Sequence, residues 1–102
     1  MKKSNKTDGN WSHRHDYPIA EVWNTDNTLA QLIAPRLQTF KELDKHCVPA
    51  GFSDMRQWNN TIQQMIDAFE LLKTARTLSN DDETVVKTGL ELFCKHFRDL
   101  WD

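Results

Sequence analysis

Three groups of side chains in this 102-residue chain have types and spacings that could do chemistry. The first is His13-x-His15 followed by Asp16, two imidazoles and a carboxylate close enough to suggest a metal trio. Zinc sites draw on four ligands at recognisable spacing. The remaining candidates, His46-Cys47 and Cys94-x-His96, are scattered along the chain. The expectation is therefore a solvated arm whose histidines stack on Trp11 or Tyr17, with no metal. The second group is Asp67-x-x-Glu70, which sets two carboxylates on adjacent turns of one helix. All-α nucleotide pyrophosphatases hold magnesium with acidic pairs of this kind, but take them from two helices. Here the other acids, Asp81, Asp82 and Glu83, stand at a helix start, where the macrodipole accounts for them. A magnesium-dependent nucleotide hydrolase is thus the minor reading, and neither catalysis nor a cofactor is expected.

The third group mixes aromatic rings with cations: Trp11, Tyr17, Trp23 and Trp101 with Arg14, Arg36, Lys41 and Arg98. Guanidinium groups beside aromatic faces suit phosphates and stacked bases. Trp, Tyr and Arg also dominate the hot spots of protein interfaces. In an undersized domain the same rings can simply complete the core. As a ligand site, the cations would neutralise phosphate and the rings would stack on bases, in a pocket formed between subunits. The net charge of −2 argues against a protein that wraps nucleic acid by charge, so sequence-specific nucleic-acid binding is not expected.

The elements that must position these residues are helical. A chain of this length forms one domain, with a stability on the order of 5–10 kcal/mol, so oligomerisation is a natural way to gain burial. Residues 1–10 are polar and read as a disordered leader. Residues 11–102 read as a single helical domain that opens with an aromatic arm from Trp11 to Trp23, carrying a short helical turn at Ile19 to Trp23. Asn24, Asp26 and Asn27 suit a helix N-cap. A first long helix is expected from about Thr28 to Leu43, buried through Leu29, Leu32, Ile33, Leu37, Phe40 and Leu43. Pro35 inside it predicts a kink near Gln31 to Ala34, or two shorter helices meeting there. Pro49 and Gly51 mark a loop, with Phe52 turned back onto the core. Ser53 or Asp54 caps a second helix running to about Thr77, with a regular stripe of Met55, Trp58, Ile62, Met65, Ile66, Phe69 and Leu72. A third helix begins near Asp81, carries Val85, Val86, Leu90 and Leu92, and runs to the last residue on a stripe of Phe93, Phe97, Leu100 and Trp101. An apolar end of this kind predicts a docked last turn. Gly89, inside that helix, costs about 1 kcal/mol relative to alanine and implies a close approach, most simply of another helix. The fold class is all-α: a three-helix antiparallel bundle with a kinked first helix and an aromatic N-terminal arm.

No apolar run reaches the length of a transmembrane helix. The lysines near the N-terminus are not followed by the apolar region of a secretory signal. Cys47 and Cys94 sit in unrelated contexts, which fits two free thiols in a reducing cytoplasm.

Several segments carry a resemblance: Tyr17-Pro18-Ile19-Ala20, Ile33-Ala34-Pro35-Arg36-Leu37, Phe40-Lys41-Glu42, Trp58 with Met65-Ile66-x-Ala68-Phe69-Glu70, and Gly89-Leu90-x-Leu92-Phe93 through Phe97-x-x-Leu100-Trp101-Asp102. Together they resemble a family of small uncharacterised bacteriophage-encoded helical proteins that end in a GLxLFxKxFxxLWD-like segment. The resemblance spans about Trp11 to Asp102. It implies a phage or prophage origin and expression inside a bacterial host cell, and it brings no particular activity. Short phage proteins often counteract host defence. The expected function is accordingly a non-enzymatic anti-defence protein, cytoplasmic and homo-oligomeric, that binds and sequesters a small anionic ligand such as a nucleotide immune signal. The alternative is an interaction protein that inhibits a host defence or replication protein by direct binding.

Overall fold

Side chains explain where two of the helices begin. The computed structural model describes residues 17–74 and 77–102. The leader, and Trp11, His13, Arg14, His15 and Asp16, lie outside the described residues. Four α-helices follow in order: α1 (Ala20–Trp23), α2 (Thr25–Glu42), α3 (Met55–Thr74) and α4 (Asn80–His96), with a 3-10 turn at Phe97–Asp99. The start of α3 is fixed by Asp54, whose carboxylate accepts the Gln57 N–H at 2.8 Å, while the Gln57 side chain accepts the Ser53 N–H at 2.7 Å. Ser79 caps α4 in the same way, its hydroxyl oxygen accepting the Asp82 N–H at 3.1 Å. No helix among the described residues is long and apolar enough to cross a membrane.

α3 is the central element, packed against α2 on one side and α4 on the other. Its stripe buries as its spacing predicts, with Trp58, Ile62 and Met65 fully enclosed and Ile66 and Phe69 beside them. Phe52 folds back as expected, its ring 5.0 Å from that of Trp58. Gly89 is buried against α3. A β-carbon built there would overlap the Ala68 Cβ and come 2.6 Å from the Gln64 carbonyl oxygen.

α2 differs from expectation in three ways. It starts at Thr25, ahead of Thr28, and Asn24 makes no side-chain cap. Asn27 instead reaches across the fold and donates to the Lys73 carbonyl at 2.8 Å and the Leu72 carbonyl at 3.3 Å, tying down the last turn of α3. The helix also passes unbroken through Pro35, so it is not two helices meeting there. Finally, half of the expected stripe faces the core, with Leu37 buried and Ile33 and Phe40 packed against it, while Ala30 and Ala34 complete the buried seam and Leu29, Leu32 and Leu43 are each about half exposed. Small residues let the α2 backbone lie close to α3, and those three leucines turn outward.

α2 ends where Leu43 turns extended. Lys45 then folds back, and its ammonium donates to the carbonyls of Lys41 at 2.9 Å, Phe40 at 3.0 Å and Leu43 at 3.3 Å. One cation thus serves carbonyls at the negative end of the macrodipole, among them that of Phe40, which also accepts the Leu43 N–H at 3.2 Å. Burial lowers the Lys45 pKa, an effect that nearby Asp102 and Asp44 partly offset.

The C-terminal segment also departs from expectation. The α-helix stops at His96, a 3-10 turn follows, and Leu100 to Asp102 are not helical. Phe93 and Leu100 pack against the core. Phe97 and Trp101 point outward, Trp101 with 75% of its surface exposed. Besides Leu100, a carboxylate docks the segment. Asp102 accepts the His46 backbone N–H at 2.9 Å with one oxygen and faces the His46 Nδ1 at 3.1 Å with the other.

Candidate functional site

The outward turn of the large α2 residues leaves an apolar groove between α2 and the end of α4. Leu32, Ile33 and Phe40 form one wall, Phe93 and Leu100 the other, and Arg36 stands at its edge. Its volume is about 230 Å³. Phe93 is held in place by edge contacts with Phe69 at 4.9 Å and Phe97 at 5.4 Å between ring centres. The Arg36 guanidinium donates one bond, to the Leu32 carbonyl on its own helix at 2.8 Å. A guanidinium carries five N–H donors in a planar fork. The rest of this fork has no protein partner among the described residues, so a cation with unfilled donor capacity sits on an apolar slot.

A second hollow, of about 250 Å³, lies between the loop after α2 and the C-terminal segment. His46, Cys47, Asp99, Trp101 and Asp102 line it, with an edge of Trp58 behind them. Its polar groups mostly answer one another. The Asp102 carboxylate holds His46, and Asp99 faces the Nδ1 of buried His96 at 3.3 Å. The His96 ring packs beside Phe52 and Trp58, with centres 5.1 and 5.6 Å away. Cys47 and Cys94 are both free and exposed.

The His46 backbone N–H bond, more than any other contact, holds the Asp102 carboxyl below the ordinary carboxylate range. A carboxyl whose folded pKa lies below its unfolded value stabilises the fold above the unfolded value, and that contribution is lost as pH falls through the folded one. The His46 amide resonance is therefore expected to titrate below the usual carboxylate range, as the latch opens. In Asp102→Asn the same amide should not move over that interval; an unchanged titration in the variant would assign the proton elsewhere.

The residues named from the sequence as ligand contacts do not lie in one place. Arg36 is the one described residue of that set lining the apolar groove. Trp101 lines the other hollow. Lys41 turns toward α3, its ammonium donating to the Gln63 side-chain oxygen at 2.7 Å. Trp23 is exposed on α1, Arg98 is exposed on the 3-10 turn, and Tyr17 is exposed ahead of α1. Trp11 and Arg14 lie outside the described residues. Asp67 accepts a bond from Gln63 at 2.8 Å, and Glu70 pairs with Lys73 at 3.0 Å, so neither pairs with Arg36. Among the described residues, no group of three or more His, Cys, Asp or Glu is placed to hold a metal ion. Sequence reasoning took Leu32 and Phe93 for core. It passed over Lys45, although a lysine just beyond a helix end is a recognised C-terminal signal.

No family model, no curated protein and no solved structure matches the chain.

Proposed function

We propose that this chain is a non-enzymatic, bacteriophage-encoded interaction protein that inhibits a bacterial defence or replication protein by direct binding in the host cytoplasm. The observation that carries the reading is the groove along α2. Leu32 remains about half exposed on its wall of the groove, across from Phe93, and Leu29 and Leu43 are exposed to the same degree on and just past α2. Contiguous apolar surface framed by polar residues is the chemistry of a protein contact. The reading takes the three long helices as an antiparallel bundle bent at Pro35.

The test is quantitative co-purification from bacterial host cells, comparing the wild type with Leu32→Glu. One stoichiometric partner held by the wild type and lost with Leu32→Glu is the expected result. Leu32 is half exposed, so the variant should melt within a few degrees of the wild type. A partner retained equally by both, or no stoichiometric partner, overturns the reading.

One observation favours a second reading, sequestration of a nucleotide immune signal. Arg36 stands at the edge of a groove that also holds the rings of Phe40 and Phe93. Calorimetry against cyclic nucleotides and cyclic ADP-ribose isomers should then give heat that Arg36→Ala abolishes. The spread of Lys41, Arg98, Trp23 and Trp101 away from this groove weighs toward the protein partner.

A further inference from the structure

We propose that the α2 groove receives an amphipathic helix from a partner protein, with aliphatic residues at helical spacing and a carboxylate facing Arg36. The proposal rests on the interaction reading above and names the class of partner.

Three features of the groove specify this occupant. The first is its geometry. Leu29, Leu32, Arg36 and Phe40 recur at intervals of three and four along one face of α2, and the last three of them line the groove. From Leu29 to Phe40 that stripe runs about 17 Å at 1.5 Å per residue, about three turns of helix. Packed helices lie roughly 8–10 Å apart with side chains interdigitating, so α2 and the end of α4 offer a seat for one more.

The second feature is the backbone of the walls. The α2 wall and Phe93 on α4 are helical, with peptide groups that bond within the helix, and the Leu100 N–H, past the end of α4, bonds to the Phe97 carbonyl. The groove has no sheet edge to pair with an extended strand, whose own N–H and C=O groups would be left without partners. A helix brings its peptide bonds already satisfied and asks only for side-chain contact.

The third is charge. Arg36 lies midway between Leu32 and Phe40, the first and last α2 residues that line the groove. Its single recorded bond, to the Leu32 carbonyl, leaves most of the guanidinium fork open. A carboxylate fills a guanidinium fork with two parallel hydrogen bonds. A second copy of this chain, docked symmetrically on the same stripe, would instead bring Arg36 against its own copy near the two-fold axis, like charge on like charge.

The test is selection of random 18-residue displayed peptides on the immobilised full chain, with counter-selection on Leu32→Lys. Expected binders carry aliphatic residues at spacings of three and four with Asp or Glu near the centre. Arg36→Glu should weaken them at least tenfold, and changing the peptide's acid to lysine should restore binding to that variant. Leu32 and Arg36 are both exposed, so melting temperatures close to wild type separate lost binding from lost folding. The proposal is overturned by an absence of Leu32-dependent binders, by binders without helical period, or by binders indifferent to Arg36→Glu. It is also overturned if sedimentation shows a dimer that Leu32→Lys dissociates, because the groove then belongs to a second copy. Patterned, Arg36-dependent peptides without a co-purifying host protein would keep this inference and remove host inhibition. A groove-dependent host protein with peptides indifferent to Arg36 would do the reverse.

Discussion

Trp58→Ala is expected to remove about 3–5 kcal/mol of folding stability, the range for deleting a large aromatic side chain from a core. Trp58 is 1% exposed. Its ring joins three parts of the chain: α3, which carries it, the loop through Phe52, and α4 through His96. The site cannot collapse without moving both neighbours, which places the cost toward the top of the range. For a domain of this size 1 kcal/mol corresponds to roughly 4–8 °C in melting temperature, so a fall on the order of 15–30 °C is expected. Trp23→Ala and Trp101→Ala serve as controls. These rings are 69% and 75% exposed, and each substitution should stay within about 0.5 kcal/mol of wild type. Thermal and urea unfolding of the three variants checks the ranking. Equal destabilisation by Trp58→Ala and Trp101→Ala would contradict the burial described above.

Gly89→Ala is the second large effect, and its sign runs against helix propensity. In an exposed helix this change gains about 1 kcal/mol. Here the new β-carbon would overlap the Ala68 Cβ and sit 2.6 Å from the Gln64 carbonyl oxygen. The second obstacle is backbone, which cannot rotate aside, so α4 must move away from α3. Overpacking of this kind costs about 1–3 kcal/mol, and occasionally more. A net loss on the order of 1–2 kcal/mol is expected for alanine, and a greater loss for Gly89→Val. Ala68→Gly removes one of the two obstacles. The double variant should therefore be more stable than the sum of the singles predicts, by at least about 0.5 kcal/mol in a double-mutant cycle. Strict additivity would mean that Ala68 and Gly89 do not meet.

What the sequence disclosed, and what it hid, follows from how packing uses residue size. α3 was legible because its large apolar residues fall on one stripe and all of them face inward. Gly89 was legible because a glycine inside a helix has a cost that calls for a reason. α2 misled because the hydrophobic period is weighted by large side chains. That weighting selects Leu29, Leu32 and Leu43, whereas close approach to α3 selects Ala30 and Ala34. Which need prevails depends on the neighbour's surface, and a single helix sequence does not contain that surface. The departure from α-helix after His96 was hidden for a similar reason, since Asp102 is held by His46, far away in sequence. Of the candidate site, Arg36 was named in advance. Its setting was not, because Phe93 and Leu100 meet α2 only in three dimensions.

On the interaction reading proposed above, the division of α2 between core-facing Ala30, Ala34 and Leu37 and outward-facing Leu29 and Leu32 makes architecture and recognition separable. Leu29, Leu32 and Leu43 could all be exchanged for glutamine while Ala30, Ala34 and Leu37 kept their places. The product would be a silent twin: the same scaffold with the same melting behaviour, deaf to whatever the natural chain hears.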